Sequence, residues 1–317
     1  MENRNEYHDM ILTKMKLIVT VMLLTATLLM STVSSTDASG KGGYRIYDTA
    51  SGQPVSLKKL GESIGAYDVM VFGEYHDNQV LHRLEEEVLI EVYTQHPNLA
   101  VSLEMFERDA QQTLNAYLAG RLNEAVFLEQ SRPWKNYGSD YHPLVEFAKE
   151  KGLRVLAANI PRSMAAYYAR QGTLGGIDGA MRHYLPAVHR APDGEYRQRF
   201  FAQMQAISEK HTVMAVTEKQ MEAFYRAQCL KDDTMAESIA EHHRRYPERK
   251  VIHYQGDFHS RYRLGVIEKL QALEPELKVL VITPVYMEQF KDLSSKAKSL
   301  QVDGDIVIFL QQPAGTS

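Results

Sequence analysis

The sequence predicts an α/β fold, with a mostly parallel sheet flanked by helices and a helical insertion over the carboxyl-terminal edge of the strands. Three observations carry that reading. From residue 44 onward, short apolar β-rich runs alternate with longer helical patterns; one long stretch lacks any strand; and polar, ionisable residues gather just after several strands.

The strand candidates are 69–72, 99–103, 154–158, 251–255, 279–283 and 306–310. Between the first two, Leu81, Leu84, Val88 and Val92 recur at helical spacing, with Asp77 or Asn78 placed to cap the first turn, so a βαβ unit is expected. Residues 161–248 show amphipathic helical patterns broken at 172–176, Pro186 and 192–194, and are read as the insertion. Emerging between two strands near the sheet edge, it can fold over the crevice as a lid or build a dimer contact.

At 317 residues, 44% hydrophobic and 24% charged, the chain has a globular composition, with 36–317 read as a single domain. The net charge of -4 is spread among interspersed acids and bases. No like-charge run matches a phosphate backbone, so nucleic acid is not an expected partner. Residues 17–30 form an uncharged, mostly apolar run behind Lys14 and Lys16, the layout of a secretory signal peptide over 1–35, with Met15 as the alternative start. At ~1.5 Å per residue the run reaches roughly 21 Å, short of a ~30 Å hydrocarbon core. Export to the periplasm or cell envelope is expected, with an uncleaved signal anchor as the alternative. Cys229 is the single cysteine, which excludes an intramolecular disulfide and a lipid-accepting cysteine after the apolar run. Its helical surroundings predict a packing role.

Ligands of open α/β sheets bind beyond the carboxyl ends of the strands. Here the first predicted strand runs into Gly73-Glu74-Tyr75-His76-Asp77, the second ends at Glu104, the third leads to Asn159 and Arg162, and the fourth leads to Gly256-Asp257-Phe258-His259. Ionisable groups at successive strand ends cost stability when buried unpaired, so their repetition points to a site. Two chemistries suit Glu74, His76, Glu104 and His259. They could hold a divalent metal that activates water, or work without metal as a general base and its orienting partner. Haem binding asks instead for a large apolar cleft and an axial His or Tyr. Tyr167, Tyr168, Tyr184, Tyr196 and Tyr225 all lie in the insertion, where each has amphipathic packing as its plainer role.

These motifs resemble the ChaN family of haem-binding uptake proteins, in the superfamily that includes Tiki and erythromycin-esterase hydrolases. The likeness rests on Gly73-Glu74-Tyr75-His76-Asp77-Asn78 with His82 and Arg83, Leu103-Glu104-Met105-Phe106-Glu107-Arg108 with Gln111 and Gln112, Tyr117-Leu118-Ala119-Gly120, Ala157-Ala158-Asn159-Ile160-Pro161-Arg162, the run 227–236, and Gly256-Asp257-Phe258-His259. The resemblance implies a bacterial envelope protein that binds haem for iron acquisition. It implies paired haems between two subunits of a homodimer and a link to outer-membrane haem-uptake machinery. It also implies a site of Glu74, His76, Glu104 and His259, supported by Arg108, Asn159 and Arg162, with the two arginines pairing haem propionates. Tyr196 and Tyr225 are the axial candidates, chosen by their place in the insertion. The hydrolase relatives imply the alternative, an esterase or peptidase working with the same four residues, with or without a divalent metal.

Overall fold

The computed structural model describes residues 43–210 and 216–312. The signal-peptide reading falls outside the described residues.

The chain runs β1 (Tyr44–Asp48), α1 (Leu57–Ser63), β2 (Val69–Glu74), α2 (Gln79–Gln95), β3 (Leu99–Glu107), α3 (Gln111–Leu118), α4 (Glu124–Ser131), α5 (His142–Glu150) and β4 (Arg154–Asn159). It continues through α6 (Arg162–Gln171), α7 (Glu195–Lys210), α8 (Glu218–Arg245), β5 (Lys250–Gly256), α9 (Val266–Leu273), β6 (Val279–Met287), α10 (Leu293–Ser299) and β7 (Ile306–Gln311). The seven strands form one sheet in the order β1-β7-β6-β2-β5-β3-β4, parallel throughout except that β1 pairs antiparallel with β7. All six strands expected from the sequence are present.

The central strands read as unbroken apolar runs because both faces of the sheet are covered. Alternate residues divide between two cores. Met70, Phe72, Ile252 and Ile282 pack with Leu81, Leu84 and Val88 of α2 on one face, while Val69, Val71, Val251 and Val281 pack with Met235, Ile239, Val266 and Leu270 of α8 and α9 on the other. Asn78, not Asp77, caps α2, its side-chain oxygen accepting from the amides of Val80 and Leu81.

No strand occurs among the described residues of 161–248. Their last helix, α8, does more than the expected lid, however. Its first half packs in the insertion through Tyr225 and Cys229, and its second half is a sheet-covering helix. Thr217 and Gln220 close a capping box at its start, and 28 residues at ~1.5 Å each give it roughly 42 Å, enough to bridge both roles. No described helix is long and apolar enough to cross a membrane.

β2 is followed by a connection to β3 on one side of it, and β5 by a connection to β6 on the other. The strand order therefore reverses between the adjacent β2 and β5, which places the crevice of such sheets at their carboxyl ends.

Candidate functional site

β2 ends in a buried glutamate. The Glu74 side chain is fully enclosed; its Oε1 lies 2.5 Å from His76 Nδ1 and accepts a 2.7 Å hydrogen bond from the Tyr141 hydroxyl. Its Oε2 faces His82 Nδ1 at 3.1 Å. Burial pushes this carboxyl up, but the hydrogen bonds from His76 and His82 outweigh it and hold Glu74 well below the ordinary range. His76 is pulled the other way. Burial lowers it, the bond to Glu74 and the charge of Glu104 raise it, and the net direction is upward.

Two glycines make room for this arrangement. A Cβ on Gly73 would stand 2.7 Å from Asp257 Oδ1 and 3.0 Å from the Ile282 carbonyl oxygen, and one on Gly256 would stand 2.8 Å from His76 Nε2. The strand ends approach closely, and the imidazole occupies the space that a side chain at 256 would fill.

Glu104 is buried at the end of β3, where Oε2 accepts the Gly256 amide at 2.8 Å and Oε1 lies 3.2 Å from His259 Nε2. His259 Nδ1 lies 2.5 Å from Asp232 Oδ1, and Asp232 Oδ2 in turn accepts from the Tyr196 hydroxyl at 2.7 Å. Burial lowers His259, but Glu104 and Asp232 on either side raise it from 6.5 to about 9. Both of its ring nitrogens are engaged by carboxylates, so it stands as a clamped imidazolium.

Glu74, His76, Glu104 and His259 all line one cavity of about 1370 Å³, larger than the roughly 300–1,000 Å³ of ordinary small-molecule pockets. Tyr75, Trp134, Phe200, Phe258 and Tyr262 supply aromatic wall, with Phe200 contributed by the insertion helix α7. Lys135 and Lys231 face the same space, and neither has an ion-pair partner among the described residues. The Arg199 guanidinium lies 3.5 Å above the Tyr262 ring. Tyr262 and its neighbour Arg263 carry positive φ of 63° and 58°, a left-handed backbone that costs a non-glycine residue about 1 kcal/mol or more.

The other residues expected here lie elsewhere. Arg108 is spent on structure: it donates to Ser238 Oγ, to the Tyr184 and Thr234 carbonyls and to Glu237, tying the insertion to the sheet. Asn159 bonds the Glu104 carbonyl and the Ile160 amide. Arg162 is exposed and borders a separate, smaller cavity with Glu107, Asp109 and Arg132. Tyr196 and Tyr225 are buried, with hydroxyls satisfied by Asp232 and the Pro192 carbonyl. None of these five lines the large cavity. Sequence reasoning missed Asp232 and Lys231 as site residues, although both fall within the 227–236 run, and it missed Trp134 and Tyr262.

A mostly parallel sheet covered by helices, with a large aromatic cavity and paired histidine–carboxylate groups at its switch point, places the chain in the α/β class. Within that class, the family model described as "Haem-binding uptake, Tiki superfamily, ChaN" matches residues 60–270, and the chain belongs to that family. Among solved structures, the ChaN protein of Campylobacter jejuni, described as binding haem cofacially, aligns with a TM-score of 0.62 at 19% identity over 85% of this chain and 97% of that one. This likeness shows a shared fold. The erythromycin esterase EreC in its open conformation aligns with a TM-score of 0.46 at 13% identity over 76% of this chain and 77% of that one. A comparison with curated protein sequences finds no match.

Proposed function

We propose that this protein binds haem in the large cavity and serves haem or iron acquisition as an exported, periplasmic or envelope protein. The observation that carries the reading is the cavity itself, whose size, aromatic wall and unpaired lysines suit a flat apolar ring with two carboxylate arms. Family membership supports the same ligand.

Tyr262 is the residue that would hold the haem iron in this reading. It lines the cavity, and its hydroxyl has no hydrogen-bond partner among the described residues. The Arg199 guanidinium packs over its ring and fixes the side chain's position at the cavity, and a tyrosine oxygen suits ferric iron. Tyr75, the other tyrosine on the wall, already donates its hydroxyl to the Pro284 carbonyl. Lys135 and Lys231 take the propionates in place of Arg108 and Arg162. Bound haem supplies ferric iron as cargo, and the chain's own residues orient it and exclude water. Sharing of haem between two copies and transfer to outer-membrane machinery belong to the same proposal. Haemin titration tests it: a Soret band that saturates at a fixed stoichiometry is expected, with Tyr262→Phe weakening binding and shifting the band. A featureless titration with folded protein refutes it.

A second reading, a hydrolase, is favoured by one observation: His76 is half exposed beside the enclosed Glu74, the geometry of an oriented general base. In that role Glu74 fixes the Nδ1 proton and leaves Nε2 to take one from water, while Glu104 and His259 flank it. Ester or peptide cleavage abolished by His76→Ala is its expected signature.

A further inference from the structure

Behind the cavity wall lies a group of which the two readings use Glu74 alone. His82 and Glu85 sit one turn apart on the same face of α2, opposite the end of β2, and Glu74, His82 and Glu85 are all buried. One ligand atom from each lies within 4.8 Å of the other two. His82 Nδ1 is 3.1 Å from Glu74 Oε2 and 3.3 Å from Glu85 Oε2. One oxygen of this group, Glu85 Oε1, is buried without a hydrogen-bond partner, a condition that costs about 1–3 kcal/mol or more for a charged group.

From this geometry we propose that Glu74, His82 and Glu85 form a binding site for one divalent transition-metal ion, of which zinc is the probe. The proposal does not rest on haem binding. Ligands ~2.1 Å from a common tetrahedral ion stand ~3.4 Å apart; the two separations from His82 Nδ1 already match this, and no separation in the group exceeds 4.8 Å. The outer partners are in place as well. His82 Nε2 faces the His76 carbonyl oxygen at 3.2 Å and Asp140 Oδ2 at 3.4 Å, so its proton is held there and Nδ1 is turned towards the two carboxylates. The Tyr141 hydroxyl bonds Glu74 Oε1 and leaves Oε2 for the ion.

Two carboxylates and a dication sum to zero charge, so the loaded site buries no net charge, and protons held by the empty site leave to solvent. One imidazole with two carboxylate oxygens suits zinc, manganese or ferrous iron better than magnesium, which keeps several waters that this enclosed group does not accommodate. The route in is from the large cavity, which Glu74 and Asp140 line and where His76 stands half exposed beside Glu74.

Chelator-treated full-length protein dialysed against zinc should retain one ion per chain and gain thermal stability, and Glu85→Gln, which is isosteric, should lose both effects. Equal zinc retention by wild type and Glu85→Gln, or no stoichiometric retention by wild type, overturns the proposal. Should Glu85→Gln not fold, X-ray absorption of the zinc-loaded wild type decides: a shell of one imidazole and carboxylate oxygens supports the site, whereas two imidazoles or a sulfur ligand overturns it.

Discussion

Asp232→Asn removes one of the two charges that hold His259, and its cost follows from the geometry. Raising an imidazole from 6.5 to about 9 corresponds to about 3 kcal/mol at ~1.4 kcal/mol per tenfold change. His259 is buried, so solvent screens little of this. Breaking a buried ion pair outright costs ~3–5 kcal/mol, but Glu104 still faces Nε2 in the variant. The expected loss is therefore about 2 kcal/mol, or roughly 4–8 °C in Tm for a domain of this size. The sign with pH is fixed. Because the folded value lies above the unfolded one, this stabilisation is fully present below pH 6.5 and is lost as pH rises through about 9. Thermal unfolding of both proteins at pH 6.5 and 9.5 should show a gap that narrows at the higher pH. A gap below 1 °C at pH 6.5, or one unchanged at pH 9.5, refutes the clamped-imidazolium account.

Other substitutions separate site from scaffold. Arg108→Ala should lower stability by about 3 kcal/mol through its partly buried pair with Glu237, while haemin titration of the folded protein stays unchanged. Lys231→Ala should weaken haemin binding roughly fivefold, about 1 kcal/mol for a partly solvated charge-assisted contact, with Tm unaltered. Gly256→Ala should displace the His76 ring, since the new methyl would meet Nε2 at 2.8 Å; a changed His76 resonance with a small Tm loss is the expected result, read by NMR.

The strands were legible because burial on both faces writes unbroken apolar runs into them. β1 escaped notice because, as an edge strand, it buries Ile46 alone among Tyr44, Arg45, Tyr47 and Asp48. Glu74, His76, Glu104 and His259 could be read from the rule that sites form where parallel strands end, and these four do share one cavity. Asp232 could not be found in that way: it sits inside α8, 27 positions before His259, and reaches it only because that helix crosses from insertion to sheet. Arg108, Arg162, Tyr196 and Tyr225 show the limit of reasoning by residue type. Whether an arginine or a phenol faces a ligand or an internal partner is decided by side-chain direction, which composition does not carry. The left-handed backbone at Tyr262 and Arg263 likewise has no glycine to announce it.

Diffraction at the iron absorption edge from haemin-soaked crystals examines the central claim without relying on any variant. The account predicts an iron peak inside the cavity between Trp134, Phe258 and Tyr262, within bonding distance of the Tyr262 oxygen. An iron peak beside Arg162 in the smaller cavity, or at the protein surface, would contradict it.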